Sequence, residues 1–164
     1  MEKIWDLSKK YNFQVIEDAS HALGGNYKGH EVGKCKYSIA TVFSFHPVKI
    51  LTTGEGGIVT TNDKELAHKI SLLRSHGITK NPKEFESDSY SEWTYEQKFL
   101  GYNYRMSDIH ASLGISQLKR LNKIIDERNK QYTYYQYILK TLPVNLLEIP
   151  PGVKSSVHLA IIRL

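Results

Sequence analysis

The order of apolar and polar positions predicts strands that alternate with helices. Residues 5–10 mix polar and apolar side chains as a helix does, and Asn12 ends that segment. Residues 13–18 form a short apolar run that ends in acids, and residues 41–45 and 58–61 are rich in β-branched and aromatic side chains. Such runs are typical of strands. The alternation favours an α/β fold with a largely parallel sheet.

The second half of the chain carries the clearer helix signals. Asn62 with Glu65 forms an N-cap and its box partner, which predicts a helix to about Ser75. From Ser107 a helical pattern resumes, and a second helical stretch is predicted to reach Thr141. Its apolar residues recur every three or four positions at Ala111, Ile115, Leu118, Leu121 and Ile125.

Two further segments complete the prediction. Residues 79–98 are polar and aromatic without clear periodicity, so we expect a long loop there. Residues 158–164 resemble a strand that has just begun when the chain ends. A parallel sheet needs more strands than this pattern supplies, so both ends are expected to be cut from a larger fold.

Composition narrows the class of protein. The chain has 164 residues, a formal net charge of +5 and a pI near 9.1. Its basic residues are scattered and often lie beside acids, as over 123–128, which disfavours nucleic acid as a partner. No run approaches the ~18 apolar residues of a membrane helix. The single cysteine, Cys35, excludes an internal disulfide and fits a reducing cytoplasm.

Asp18 and Lys49 are the candidate reactive pair. Each follows a predicted strand, and ligands of open α/β sheets bind at the carboxyl ends of strands. There a carboxylate can hold a cation such as the protonated ring nitrogen of pyridoxal phosphate (PLP), and a lysine can attack an aldehyde. Taken singly, Asp18 is equally consistent with the cap of a turn, and Lys49 is consistent with a surface lysine. The pairing favours a PLP site.

Neighbouring residues offer anion contacts. Ser44 and His46 flank the lysine, and Thr52, Thr53 and the glycines after them could present N–H groups to a phosphate. Other chemistries lack their patterns, since the spacing of a P-loop and that of a zinc site are both absent.

Five segments in order resemble the DegT/DnrJ/StrS family of PLP-dependent sugar aminotransferases, which have the aspartate aminotransferase (type I) fold. The matching segments are 15–21 (VIEDASH), 43–49 (FSFHPVK), 52–57 (TTGEGG), 73–77 (LRSHG) and 101–106 (GYNYRM). The resemblance extends over nearly the whole chain.

The resemblance implies a role for each matching position. Lys49 would form the internal aldimine and then move the proton between substrate and cofactor carbons. Asp18 would pair with the pyridinium nitrogen, His21 would lie near the phenolate oxygen, and Ser44 would bind the phosphate. Asn103 would reach the cofactor phosphate of a neighbouring subunit, since the family forms homodimers with shared active sites.

The resemblance also implies a substrate class. One branch of the family has histidine in place of the lysine and dehydrates sugars, so Lys49 favours amination. The amino-acid sequence of residues 17–25 is similar to that of the pseudaminic-acid branch, which serves polysaccharide biosynthesis and flagellin glycosylation. We therefore expect a UDP-linked 4-keto-6-deoxy-N-acetyl sugar as substrate and L-glutamate as amino donor.

Family members are longer than this chain, so we expect residues 1–142 to be the central part of the PLP-binding large domain. Residues 143–164 would begin the C-terminal small domain. The preceding part of the family's fold carries a phosphate-binding turn at a helix N-terminus, a strong anion anchor. The chain alone is therefore expected to bind PLP poorly. A non-catalytic, truncated remnant of such an enzyme is the alternative.

Overall fold

The computed structural model describes residues 1–88 and 91–164, which form two compact units. One unit comprises Met1–Asn62 and Met106–Leu164, and the other comprises Asp63–Arg105. The helices are α1 (Glu2–Tyr11), α2 (Lys64–Leu73), α3 (Asp108–Leu118) and α4 (Leu121–Ile138), with a 3-10 helix at Pro82–Glu84. Among the residues described, none of these helices combines the length and apolar character of a membrane span.

The strands of the described ranges are short and fall into four small sheets. In chain order they are β1 (Ile16–Asp18), β2 (Asn26–Tyr27), β3 (His30–Glu31), β4 (Ala40–Ser44), β5 (Gly57–Thr60), β6 (Ile78–Thr79), β7 (Glu96–Gln97), β8 (Asn145–Leu146), β9 (Val153–Lys154) and β10 (Ile162–Arg163).

The first unit is built on the sheet β1-β4-β5. β1 runs parallel to β4, and β5 pairs with β4 in the antiparallel direction. The predicted strands at 41–45 and 58–61 are confirmed with a shift of one residue. The predicted strand at 13–18 is too long, because only its last three residues pair with β4.

Helix α4 supplies much of the buried apolar surface of this unit. Ile125 is 1% exposed and Tyr132 is 6% exposed, and Phe43 of β4 is buried as well. Gly24 has a φ of +75°, and a Cβ at that position would overlap the Ile125 side chain. Glycine is therefore required both by the backbone conformation and by the close approach of α4.

In the second unit, α2 begins one residue later than the sequence predicts. Asp63 is the N-cap, and its Oδ1 accepts hydrogen bonds from the N–H groups of Glu65 and Leu66 at 2.9 and 3.0 Å. The predicted cap, Asn62, is wrong because its side chain donates to the carbonyl of Lys34 at 2.9 Å. Both residue types cap helices well, so the sequence pattern alone does not separate them.

The predicted long loop at 79–98 is partly ordered. β6 pairs with β7 in the antiparallel direction, and the 3-10 helix lies between them. Glu96 of β7 accepts hydrogen bonds from the N–H groups of Glu86 and Ser87, and Lys98 forms an ion pair with Glu96 at 2.6 Å. A strand of two residues is too short to show an alternating pattern. Residues 89 and 90 of this predicted loop lie outside the described residues.

One of the five family-like segments, 73–77, lies beside residues 101–105 of another in this unit. Tyr102 donates its N–H to the carbonyl of Leu73 at 2.7 Å, and His76 donates to the carbonyl of Tyr102 at 2.8 Å. Gly77 has a φ of +69°, and a Cβ there would overlap the Phe99 carbonyl. Close backbone contact explains the glycine of the first segment.

The C-terminal part of the chain differs in its boundaries from the prediction. Ser107 is the N-cap of α3, as the pattern predicts, and accepts from the N–H of His110 at 3.3 Å. α4 ends at Ile138, before the predicted Thr141. The strand predicted at 158–164 is reduced to β10, which pairs with β8.

Candidate active site

Asp18 and Ser44 lie together at one edge of the central sheet. They are the last residues of β1 and β4, and the parallel course of these strands brings both carboxyl ends to the same edge. Asp18 lies opposite Val42, and side chains alternate along a strand. Asp18, Val42 and Ser44 therefore share one face of the sheet.

The Asp18 carboxylate is held by the turn that follows β1. Its Oδ1 accepts hydrogen bonds from Ser20 Oγ at 2.6 Å and from Ser20 N at 3.0 Å. These bonds lower the pKa of the Asp18 carboxyl below its ordinary value, and the positive charges of His21 and Lys49 lower it further. Asp18 is accordingly ionised at neutral pH. Asp18 can cap the turn and also carry a negative charge, because both hydrogen bonds of the turn are accepted by one of its two carboxylate oxygens, Oδ1.

Lys49 lies in a tight turn beyond β4 and is half-buried. Its N–H donates to the carbonyl of His46 at 2.9 Å, and the next residues, Ile50 and Leu51, are 5% and 2% exposed. Burial of Ile50 and Leu51 anchors the turn that contains Lys49. Among the residues that the structure describes, the Lys49 ammonium forms no ion pair.

Two of the N–H groups predicted to face an anion in the loop at 52–57 are occupied by other hydrogen bonds. Thr53 donates its N–H to the carbonyl of Phe45 at 3.0 Å, and Gly54 donates to Thr52 Oγ1 at 2.9 Å. These bonds stabilise the loop that follows Lys49, so the N–H groups of Thr53 and Gly54 have a structural role instead of the expected one.

His21 lies against His158, a residue that the sequence patterns did not mark as functional. The centroids of the two imidazole rings are 4.2 Å apart, and both rings line a cavity of about 260 Å³. Burial lowers the pKa of His158, and the positive charges of His21, Lys49 and Arg128 act in the same direction. The residues Asp18, His21, Ser44 and Lys49 are called the Lys49 site below.

Asn103 and Cys35 are not among the residues of this arrangement. Asn103 belongs to the second compact unit, where it is exposed and forms a β-bridge with Ser75. The Cys35 thiol donates to the carbonyl of Thr60 at 3.2 Å and contacts Thr41 Oγ1 on the opposite face of β4. The hydrogen bonds of Cys35 indicate a structural thiol.

Comparison with known protein families shows the family to which the chain belongs. The model of the DegT/DnrJ/EryC1/StrS aminotransferase family matches residues 1–164. The chain belongs to this family. The family resemblance and the fold class expected from the sequence are both confirmed.

Similar individual proteins agree with the family assignment. The UDP-4-amino-4,6-dideoxy-N-acetyl-beta-L-altrosamine transaminase of Campylobacter jejuni is 45% identical over 160 residues, which are 97% of this chain and 40% of that protein. The Helicobacter pylori aminotransferase involved in the biosynthesis of pseudoaminic acid superposes with a TM-score of 0.87 at 38% identity. The alignment covers 98% of this chain and 41% of that structure.

A third similarity concerns the cofactor. A Streptococcus pneumoniae protein described as a sugar aminotransferase, solved in its PLP form, has a TM-score of 0.80 and 31% identity. The alignment covers 99% of this chain and 42% of that structure. The chain thus spans about two fifths of the length of the family members that it matches.

Proposed function

We propose that the protein carrying this chain transfers an amino group from L-glutamate to a nucleotide-linked 4-keto-6-deoxy sugar, with PLP as cofactor. The observation that carries the proposal is the position of Asp18 and Lys49 beyond two adjacent parallel strands, within electrostatic range of each other. Family membership supplies the reaction class. The sugar class follows from the similarity to the Campylobacter jejuni transaminase.

The residues present suit the cofactor in three respects. Asp18 carries a carboxylate whose lowered pKa keeps it ionised, as a partner of a protonated ring nitrogen must be. Lys49 provides a half-buried amine without an ion-pair partner among the described carboxylates. Within the described part of the chain, the Ser44 hydroxyl accepts only a long bond of 3.4 Å from the N–H of His46, so its proton can be donated to a phosphate.

Each residue then has a defined task. PLP, when bound, supplies an electron sink for the carbanion formed at the substrate carbon. Lys49 Nζ would hold the cofactor and would move a proton between the substrate carbon and the cofactor carbon. Asp18 would stabilise the protonated ring nitrogen, and His21 would lie near the phenolate oxygen.

The remaining parts of the proposal concern assembly. Asn103 would hold the phosphate of the cofactor bound in a second copy of the protein, which would make the active enzyme a homodimer. Residues 1–142 belong to the cofactor-binding domain and residues 143–164 begin the substrate-binding small domain.

The enzyme works in the cytoplasm, where a free thiol such as that of Cys35 persists.

An amino-transfer assay with a matched lysine control tests the proposal. The protein is supplied with PLP, L-glutamate and the UDP-linked 4-keto-6-deoxy-N-acetyl sugar, and formation of 2-oxoglutarate and of the 4-amino sugar is measured. Both products are expected, with none from Lys49→Arg and an unchanged yield from Lys34→Arg, which changes an exposed lysine. A deoxygenated sugar without nitrogen, or full activity in Lys49→Arg, contradicts the proposal.

A further inference from the structure

The segment that carries Lys49 is a loop whose two ends are joined by hydrogen bonds of Phe45. The carbonyl of Phe45 accepts from the N–H of Thr53 at 3.0 Å and from Thr52 Oγ1 at 3.0 Å. The N–H of Phe45 donates to the carbonyl of Gly56 at 2.8 Å. Lys49 lies midway between Phe45 and Thr53 in the sequence. Because these bonds join the ends of the loop, a displacement of Thr53 is expected to displace the lysine as well.

The Thr53 side chain has little freedom to move. It is 1% exposed, and its Oγ1 donates to the carbonyl of Glu55 at 2.7 Å. A β-branched residue has few favourable χ1 rotamers. The methyl group of Thr53 therefore cannot turn away from its neighbours unless this hydrogen bond breaks.

Helix α3 lies along the same loop. His110 and Gly114 are four residues apart and share one face of the helix. A Cβ added to Gly54 would lie 3.7 Å from the His110 ring, which is ordinary contact. A Cβ added to Gly114 would lie 2.8 Å from Thr53 Cγ2, closer than two carbon atoms normally approach. Glycine is a poor helix former, and this close approach supplies the reason for a glycine inside α3.

We propose that Gly114 is a positioning residue for the amino-transfer reaction: without a side chain it lets α3 close on Thr53, and this contact holds the loop where Lys49 meets the cofactor. The inference rests on the proposed function, since it takes Lys49 as the reacting amine. The role is indirect, because Gly114 acts through Thr53 and the hydrogen bonds of Phe45.

Amide hydrogen exchange followed by NMR measures the loop without any ligand. In Gly114→Ala the added methyl group displaces Thr53, so the N–H groups of Thr53 and Lys49 are expected to exchange about tenfold faster. The N–H of Ala19, which donates to Val42 across the sheet at 2.8 Å, is expected to be unchanged. That amide separates a local displacement from a loss of global stability. Ser116→Ala, a change of an exposed residue of α3, is the control.

Thr53→Ser provides a rescue, because it removes the Cγ2 methyl group and keeps the hydroxyl that bonds Glu55. Alone it leaves a gap beside Gly114, and exchange of the two loop amides is expected to be about threefold faster. In the double variant the new alanine fills this gap, so exchange is expected to return to within about twofold of the wild type.

Two results of the rescue overturn the inference. One is a double variant in which the effects of the single changes multiply. The other applies where Gly114→Ala alone does not fold, and it is a double variant whose loop amides exchange faster than those of Thr53→Ser.

Attachment of PLP tests whether the position of the loop matters for the chemistry. Borohydride reduction at a subsaturating PLP concentration, followed by peptide mapping, measures the fraction of Lys49 that is labelled. Gly114→Ala is expected to lower this fraction about fivefold, with recovery in the double variant and no change in Ser116→Ala. A merely structural role of Gly114 would lower stability to urea and leave the labelling of the folded protein unchanged, and that result overturns the inference.

The same measurements separate this inference from the proposed function. A label on Lys49 that is equal in the wild type and in Gly114→Ala overturns the inference alone. Absence of the label from Lys49 in the wild type overturns the proposed function. In that case hydrogen exchange still decides whether Gly114 sets the position of the loop.

Discussion

Asp18 owes its charge state to the turn that follows it. Two hydrogen bonds from Ser20 stabilise the carboxylate, and the nearby positive charges of His21 and Lys49 add to them. The neighbouring acid, Glu17, lies opposite Thr41 in the sheet and accepts a hydrogen bond from Ser38 Oγ at 2.6 Å. Two adjacent carboxylates thus face opposite sides of β1, and only Asp18 faces the Lys49 site.

This difference supplies a matched pair of variants. Asp18→Asn is expected to weaken PLP binding roughly tenfold to a hundredfold, because hydrogen bonds to charged groups are worth about 1.5–3 kcal/mol. Glu17→Gln is expected to leave cofactor affinity unchanged. Fluorescence titration with PLP measures both. Equal losses in the two variants would contradict the assignment of Asp18.

His158 gives the protein a defined sensitivity to acid. Its pKa in the folded state lies below the reference value of 6.5, so the unfolded chain binds a proton more readily. The contribution of His158 to the free energy of unfolding therefore increases as pH rises from the lowered pKa of the folded state to the reference value of 6.5, and it is lost as pH falls again. Relative to His158→Phe, the wild type is expected to lose stability as pH falls from above the reference value of 6.5 toward the lowered pKa of the folded state. Urea unfolding measures this, and a difference independent of pH would contradict it.

The sequence identified candidate site residues where they stand in a recognisable local pattern. Asp18 and Lys49 stand at or after the ends of strand-like runs, and the turn cap that was the alternative reading of Asp18 is also present, with Ser20 as the donor. His158 and Arg128 carry no such signal. Their relation depends on contacts between α4 and residues some thirty positions away, and on a positive φ at a valine.

At the scale of elements, α4 does more than cover the sheet. One turn of this helix directs Arg128, Asn129 and Tyr132 at backbone carbonyls of residues 147–158. Tyr132 is 6% exposed, and its hydroxyl donates to the carbonyl of Leu147. These bonds hold the segment that lines one side of the cavity beside His21 and His158.

Removal of one such bond is expected to lower stability measurably. Tyr132→Phe should reduce the free energy of unfolding by about 0.5–1.5 kcal/mol, the net value of a buried hydrogen bond. Tyr135→Phe removes a hydroxyl from a residue that is 43% exposed and should change little. Urea unfolding compares the two variants. A larger loss for Tyr135→Phe than for Tyr132→Phe would argue against the role of α4.

Elements were predictable in proportion to their length. α3 and α4 show recurring apolar positions over several turns, and β4 shows a run of β-branched and aromatic residues. The pairing of β6 with β7 extends over two residues and leaves no pattern to read. The start of α2 was misplaced because two good capping residues stand next to each other in the sequence.

At the scale of the whole molecule, the chain spans 40% of the length of the Campylobacter jejuni transaminase. Asp18, His21, Ser44 and Lys49 all lie in the first compact unit, so the proposed lysine and its charged partner are present in this span. On the family resemblance, a phosphate anchor at a helix N-terminus is expected in the preceding part of the family's fold.

We therefore expect the 164-residue chain to bind PLP more weakly than the full-length Campylobacter jejuni transaminase. The loss of several backbone donors to one phosphate is the physical reason. Fluorescence titration of both proteins with PLP under identical conditions measures the difference. Equal affinity would show that the residues of this span suffice to bind the cofactor.

The central claim is that Lys49 is the lysine that binds PLP. Reduction with borohydride at saturating PLP, followed by peptide mapping, locates the labelled lysine directly. The label is expected on Lys49, with its loss in Lys49→Arg and its retention in Lys34→Arg. A label concentrated on any other lysine, with Lys49 unmodified, would contradict the account.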